Sequence, residues 1–577
     1  MLSNYTNEIK INTTNKKDCI LISKNKYHQG TYNGVYICCL ELFKEQIVKL
    51  LQNNHYEDKV ILINDIEKIL DYGIYVFNLN DETVVGGEFL GTMLSWMIRD
   101  NEIIISDSAV EIAKKYKLNL SNDILTMYLI LGLPFYPFYT MSFWKEISKI
   151  KPYNVLVISE SGENEKVITK LPYINHNKDL LIQNIRSHMV EKIREQIVNY
   201  SSVSCDVSGG VDSASIAYVL NKLVNNLKIF HAESDKLSNS DTKWAEYIAK
   251  DMENDLNKLP SVELSGKRFT VEDEYIGNNL PDSPLLWADT EGYVEELIRK
   301  LSTNNIHFIG IGGDELFAPM PSTPWSIVHQ EKFKSIIYIL KYSILTKNPF
   351  VRCIRNLLDN EKYSLELTKK TKKSFKNNGK VCDSDLSWVD SISIPEWLNY
   401  KHIDQCYNLI KNIISKNVET LDKDRGRHQA LQSIVFQKKV FSQIKQALNQ
   451  KTDCCAPFLC KEIIISSLMI PAKYCVSSRM TKPILYEILK GIVPEEVFTR
   501  GVKGDYSKAL YEGYKLAATK YRDNIKNFEL VKLGIIDSEK LISELSMPTA
   551  LQDRVEYFVR VCSLERWVRN LNKYMKD

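Results

Sequence analysis

At 577 residues, 44% hydrophobic and 25% charged, the chain has the composition of a soluble globular protein, which excludes a disordered one, and it is long enough for more than one domain. Its 75 basic residues against 72 acidic ones leave a formal charge of +3, which supplies no electrostatic footprint for nucleic acid. Twelve cysteines are spread irregularly, and MLSNYTNEIKINTT lacks the apolar core of a secretory leader, so reduced thiols in the cytoplasm are expected.

Short strand-like runs fill the first part of the chain: TYNGVYICCLEL, DYGIYVFNL and NEIIISD. Residues 124–144 then run without a charge, long enough to span a bilayer. Gly132, Pro134 and Pro137 break that stretch, so the reading is a buried helix from Ile124 to Leu131, a turn and an extended segment. PYNVLVISESGENEKVI reads as strand, turn and strand. The polar NHNKD, followed by a helix from near Leu180, marks a boundary between a first domain, 1–170, and a second, 180–577.

Between 200 and 325 strands alternate with helices, the pattern of a parallel sheet covered on both faces. In VSCDVSGGVDSASIAYVLNKLV a two-residue repeat gives way to a helical face at Ser208-Gly209-Gly210-Val211-Asp212-Ser213. The glycines therefore lie in a strand-to-helix turn. Unpaired N–H groups and the helix dipole favour an anion there, which reads as a cradle for phosphate, and the serine hydroxyls add donors. The Gly-Lys-Ser/Thr ending of a Walker A loop is missing. Asp212 within the cradle would repel a bare phosphate, and magnesium bridging the two removes the conflict. A second strand, from His307 to Ile311, runs into Gly312, Gly313 and Asp314. If the two strands are neighbours, Asp212 and Asp314 can hold one magnesium over a triphosphate.

From 326 to 577 the chain reads as mainly helical, in stretches such as ALQSIVFQKKVFSQIKQAL. TKKTKKSFKNNGK, 368–380, reads as a solvated loop, with a docking site for an acidic partner as the alternative. Cys454, Cys455 and Cys460 cluster without a second ligand pair and read as buried small hydrophobes.

SGGVDS followed by GGDELF resembles the synthetase domain of asparagine synthetases and their relatives, which cleave ATP between the α- and β-phosphates. PFL at 457–459 resembles the family's PFLD motif, with Cys460 in place of the aspartate. MTKPILYEILKGIVPEEVFTRGVKGDYSKAL, 480–510, resembles its K-x-x-L-R-x-A … P-x-x-V … R-x-K-x-x-F segment. The resemblance implies an α/β chain: an N-terminal Ntn-hydrolase-like αββα sandwich, then an adenine nucleotide alpha hydrolase-like (PP-loop) parallel-sheet domain with a helical C-terminal part. It implies ATP and Mg2+, with Ser208, Gly209, Gly210, Asp212 and Ser213 as the pyrophosphate loop and Gly312 and Gly313 beside it. Asp212 and Asp314 become the metal ligands. Lys503 falls where the family keeps a lysine that stabilises developing negative charge. Asp453, four residues before Pro457, stands where a glutamate is common and is expected to orient or deprotonate the amine.

Glutamine-using members begin, after methionine removal, with a catalytic cysteine. This chain begins Met1-Leu2-Ser3-Asn4, and its first cysteine is Cys19 in KDCILIS. GGEFLGTMLSWMIRDNEIIISDS and SFWKEISKIKPYNVLVI still resemble the body of that glutaminase domain. The expectation is a retained scaffold without ammonia-generating chemistry. Two related groups use the substrate's own amine: β-lactam synthetases and lasso peptide cyclases. RGVKGDY, 500–506, resembles the cyclase version of its motif. The implied function is an AMP-forming ligase that joins a side-chain carboxylate of a precursor peptide to its N-terminal amine. An ammonia-using amidotransferase and a small-molecule cyclase are the alternatives. Implied partners are a leader-cleaved peptide, a leader peptidase and a peptide-binding protein, with no nucleic acid and no membrane span.

Overall fold

In the computed structural model the N-terminal apolar runs pair into two sheets. The structure describes the chain except residues 1–6, 12–18, 71, 91–93, 133–134, 160–161, 168–170, 234–239, 260–266, 277–279, 332–333, 378–385, 390–391, 417, 449–450, 501–506, 548–551 and 577, and a few side chains next to these. The strands are β1 (Asn7–Ile11), β2 (Cys19–Ser23), β3 (Tyr27–Tyr32), β4 (Val35–Leu40), β5 (Ile74–Leu79), β6 (Glu82–Gly87), β7 (Ser95–Arg99), β8 (Glu102–Ser106), β9 (Ser148–Lys149), β10 (Asn154–Ser159) and β11 (Gly162–Val167). One sheet runs β1-β2-β8-β7-β9 and the other β11-β10-β6-β5-β4-β3. Asn33-Gly34, Asn80-Asp81 and Asp100-Asn101 close three two-residue hairpins with positive φ at both positions, the twist that matches the flanking strands.

Leu21, Ile103 and Ile105 of one sheet meet Val76, Val85 and Leu156 of the other, so the sheets stack face to face. Helices α1 (Lys44–Asn53) and α2 (Lys59–Ile69) cover the outer face of the second sheet. Helices α3 (Ala109–Tyr116) and α4 (Asn122–Leu131) cover that of the first. The result is four layers: helix, sheet, sheet, helix. The uncharged stretch is resolved as expected into α4, ended by Gly132, and among the described residues no helix is long and apolar enough to cross a membrane.

The second half opens with α5 (Lys178–Ile197). It then alternates through β12 (Ser202–Asp206), α6 (Val211–Leu223), β13 (Leu227–Ala232), α7 (Asp241–Asp251), β14 (Leu256–Leu259), α8 (Glu291–Lys300), β15 (Asn305–Phe308) and α9 (Gly313–Phe317). Helices α10 (Thr323–Gln330), α11 (Ser335–Thr346), α12 (Phe350–Leu357), α13 (Tyr363–Asn377), α14 (Tyr400–Ser415) and α15 (Arg425–Leu448) lead to a last strand, β16 (Asp453–Cys455), and to α16 (Lys461–Leu468) and α17 (Pro483–Leu489). The order β14-β13-β12-β15-β16 is parallel throughout. Connections leave β12 toward one edge and return to β15 toward the other, which makes the β12–β15 gap the switch point where such sheets bind ligands.

One expectation is corrected. The basic run 368–380 is not a solvated loop: α13 carries it to Asn377, burying Lys370, Thr371 and Ser374 on one face, with the Lys370 ammonium donating to the Val389 carbonyl.

The two halves share a polar seam. Asp282 accepts from Ser108 Oγ at 2.9 Å and from the Ala109 and Val110 amides at 2.8 and 3.1 Å, so the second half caps a helix of the first. Burial alone would raise the Asp282 carboxyl, but Lys149 at 3.1 Å and these donors hold it below its ordinary range. Beside it a cavity of about 80 Å³ lies between α4 and α15. Lys439 lines it and donates to the Tyr139 carbonyl at 2.9 Å; burial first, then Lys149, bring its ammonium down to about 7. Between pH 7 and the unfolded lysine value the unfolded chain binds the extra proton, so stability rises with pH across that window. Lys439→Met is expected to raise the melting temperature by a few degrees at pH 7 and to flatten its rise toward pH 10, as thermal melts across that range would read.

Candidate active site

Both glycine turns leave the carboxyl ends of the two switch-point strands. Gly209 has φ +86°, and a β-carbon there would come within 2.3 Å of the Asp241 carbonyl at the start of α7. Only glycine fits. Gly210 is the N-cap of α6 and brings no side-chain oxygen to its first turn. Within the loop, Ser208 N–H donates to Ser213 Oγ at 3.0 Å, and the two hydroxyls are 2.9 Å apart.

The second turn interlocks with the first. A β-carbon on Gly313 would sit 2.2 Å from Asp212 Oδ1, so the absent side chain is what lets the two turns touch. Gly310 lies against the Asp212–Ser213 backbone, and Gly312 packs on Phe458 and Leu459 of the PFL motif. Phe458 also meets Phe317 edge-on at 5.8 Å. PFL is thus a hydrophobic brace beneath the second turn. Cys460 follows it, buried, as the N-cap of α16 without a side-chain cap bond.

Asp212 and Asp314 stand in the first turns of α6 and α9, where helix dipoles favour carboxylates. Between them lies a cation that sequence reasoning left without a role. Lys482 Nζ is 2.5 Å from both Asp212 oxygens and 2.8 Å from Asp314 Oδ1. Its side chain is 2% exposed, against 17% for Asp212 and 48% for Asp314. One cation therefore already bridges the two carboxylates, which is the fit test for a divalent ion: two hard oxygen donors converging from separate strand ends. A second unassigned residue, Arg500, donates to the Gly209 carbonyl and to Asp241, and 3.3 Å away to Ser240 Oγ, pinning the first turn to α7. Lys482 and Arg500 are the first lysine and the arginine of the 480–510 segment. Their roles depend on three-dimensional contacts that the segment alone does not contain.

The structure thus gathers Ser208, Gly209, Gly210, Asp212, Ser213, Gly312, Gly313 and Asp314 in one place. It does not bring Asp453 there. In register, Asp453 is level with Ile306 and Val203, three residues or about 10 Å short of Asp206 at the carboxyl end of β12. Its Oδ2 accepts from Tyr200 at 2.6 Å, while its Oδ1 faces Lys445 at 3.2 Å and its own neighbour's amide. Lys503 lies outside the described residues. In the first half Cys19 is buried between the sheets, its thiol pushed up to about 12 by burial. Cys454, Cys455 and Cys460 are buried as expected, and among the described residues no group of three or more His, Cys, Asp and Glu is placed to hold a metal ion, so a cation at Asp212 and Asp314 would draw its remaining ligands from phosphate and water.

A parallel α/β sheet whose switch point carries a glycine-rich turn at a helix start and a carboxylate pair is an architecture that nucleotide-using enzymes share. The asparagine synthase family matches residues 184–569, and the chain belongs to that family. Membership supports ATP-dependent carbon–nitrogen bond formation. No curated protein matches the chain.

Proposed function

We propose that this protein is an AMP-forming ligase that closes a macrolactam on a precursor peptide. The observation that carries the ligase site is the pair Asp212 and Asp314 around a single cation, on two turns that touch. In this reading Asp212 and Asp314 hold magnesium, and Ser208, Gly209, Gly210 and Ser213 receive pyrophosphate, with Gly312 and Gly313 forming the opposite wall. Magnesium, when bound, screens the charge of the outer phosphates. Lys482 leaves the carboxylates for phosphate oxygens when the nucleotide enters. A peptide side-chain carboxylate attacks the α-phosphorus, pyrophosphate departs, and the peptide's α-amine displaces AMP. Lys503, three residues beyond the arginine that pins the loop, stabilises the developing charge. Tethering both reactants in one peptide makes the second step intramolecular.

Residues 1–170 are, in the same proposal, a glutaminase-like sandwich without its chemistry. Supporting this, Cys19, Cys38 and Cys39 of the first half are all buried, with thiols pushed up to about 12. RGVKGDY favours a peptide over a small-molecule substrate. Incubation with ATP, Mg2+ and leader-free peptides carrying Asp or Glu is expected to release pyrophosphate and AMP and to yield peptide lighter by one water. Pyrophosphate release that depends on ammonium and aspartate, with peptides left linear, would assign the protein to the amidotransferase alternative.

A further inference from the structure

The α11–α12 hairpin presents its apolar residues outward. Of α11 only Ile339 is buried, against Trp325, Val328, Cys353 and Leu357. Ile336, Ile337, Leu340, Ile344 and Leu345 share the opposite face, at the i, i+1, i+4, i+8, i+9 spacing, and are 49% to 81% exposed. Phe350 and Val351, which open α12, are exposed as well. An apolar helix face of this extent in water marks an interaction surface.

The charges around it specify the partner. Residues 332–358 contain six lysines and arginines and no acidic residue, in a chain whose charges otherwise nearly cancel. Lys334, Lys341, Lys347, Arg352 and Arg355 are all exposed. A second copy docking here would bring the same cations against these, so self-association is opposed by like charge. A surface that is apolar within and anionic at its boundary complements both features, and that is the interface of a bilayer containing acidic lipid.

We propose that the α11–α12 hairpin is a peripheral membrane anchor that seats Ile336, Ile337, Leu340, Ile344 and Leu345 among acyl chains while the surrounding lysines and arginines meet anionic headgroups. The test uses the full chain, sedimented with vesicles of phosphatidylcholine alone or mixed with phosphatidylglycerol. Binding is expected to the mixed vesicles and not to the neutral ones. It should weaken at least about 10-fold between about 0.1 M and 0.5 M salt, since the electrostatic part is screened. It should weaken at least as much in Ile337→Asp/Ile344→Asp and, independently of any effect of the first pair on folding, in Lys341→Glu/Arg352→Glu. Failure to sediment with anionic vesicles, equal binding to neutral vesicles, or unchanged binding by the charge-reversed variant would overturn the proposal. A wild-type dimer in sedimentation velocity that Ile337→Asp/Ile344→Asp abolishes would overturn it too, by giving the face to a second copy.

Discussion

Asp314→Ala and Asp212→Ala are each expected to lower ATP-dependent pyrophosphate release by at least about 1,000-fold, a loss of about 4 kcal/mol of transition-state stabilisation. Each variant leaves one carboxylate where two converge on Lys482. A single monodentate acid holds a hard divalent ion poorly, and a nucleotide without its metal is misplaced over the loop. Asp212 has a second task, because Gly313 packs directly on its carboxylate. Asp212→Ala is therefore expected to lower the melting temperature as well, whereas Asp314→Ala, at a half-exposed position, leaves it nearly unchanged. Pyrophosphate release and thermal melts on both variants read the two effects separately. Activity within about 10-fold of wild type in Asp314→Ala would remove the metal assignment.

Lys482→Met is the second large effect, and its size depends on what is bound. Two unit charges about 4 Å apart near a protein surface interact by about 4 kcal/mol, less where one is solvated as Asp314 is. Without the Lys482 ammonium, Asp212 and Asp314 face each other across its place, so the nucleotide-free variant is expected to melt several degrees lower. Magnesium alone should then restore part of that loss in the variant and do little in wild type, where the ammonium already fills the gap. Turnover is expected to fall about 100-fold, since in the proposed reaction this cation also follows the phosphates. Melts with and without magnesium, in the absence of ATP, separate this account from a purely structural lysine. A structural lysine predicts the same low melting temperature in both.

The glycine-aspartate turns could be read in sequence because each joins two clear periodicities, and their contact follows once β12 and β15 are neighbours. Asp453 could not be placed that way. β16 is three residues long, carries no periodic signal, and only its register against β15 locates the carboxylate. The run 368–380 misled because a lysine-rich stretch reads as solvated, whereas α13 buries the stem of Lys370 and the small side chains of Thr371 and Ser374. On α11 the apolar face is the exposed one, the reverse of the pattern by which a buried stripe is recognised. Lys482 lies within the 480–510 segment, but nothing local marks a lysine as the counterion of two aspartates 270 and 168 residues away.

A crystal structure with magnesium and a non-hydrolysable ATP analogue bridged at the α,β position decides whether Asp212 and Asp314 hold a metal beside the nucleotide. The expected result is metal between Asp212 and Asp314, phosphate oxygens on the Ser208–Ser213 turn, and the Lys482 ammonium moved from carboxylate to phosphate. Nucleotide bound elsewhere, or bound at this turn with Lys482 still clasped by both aspartates and no metal beside them, would contradict it.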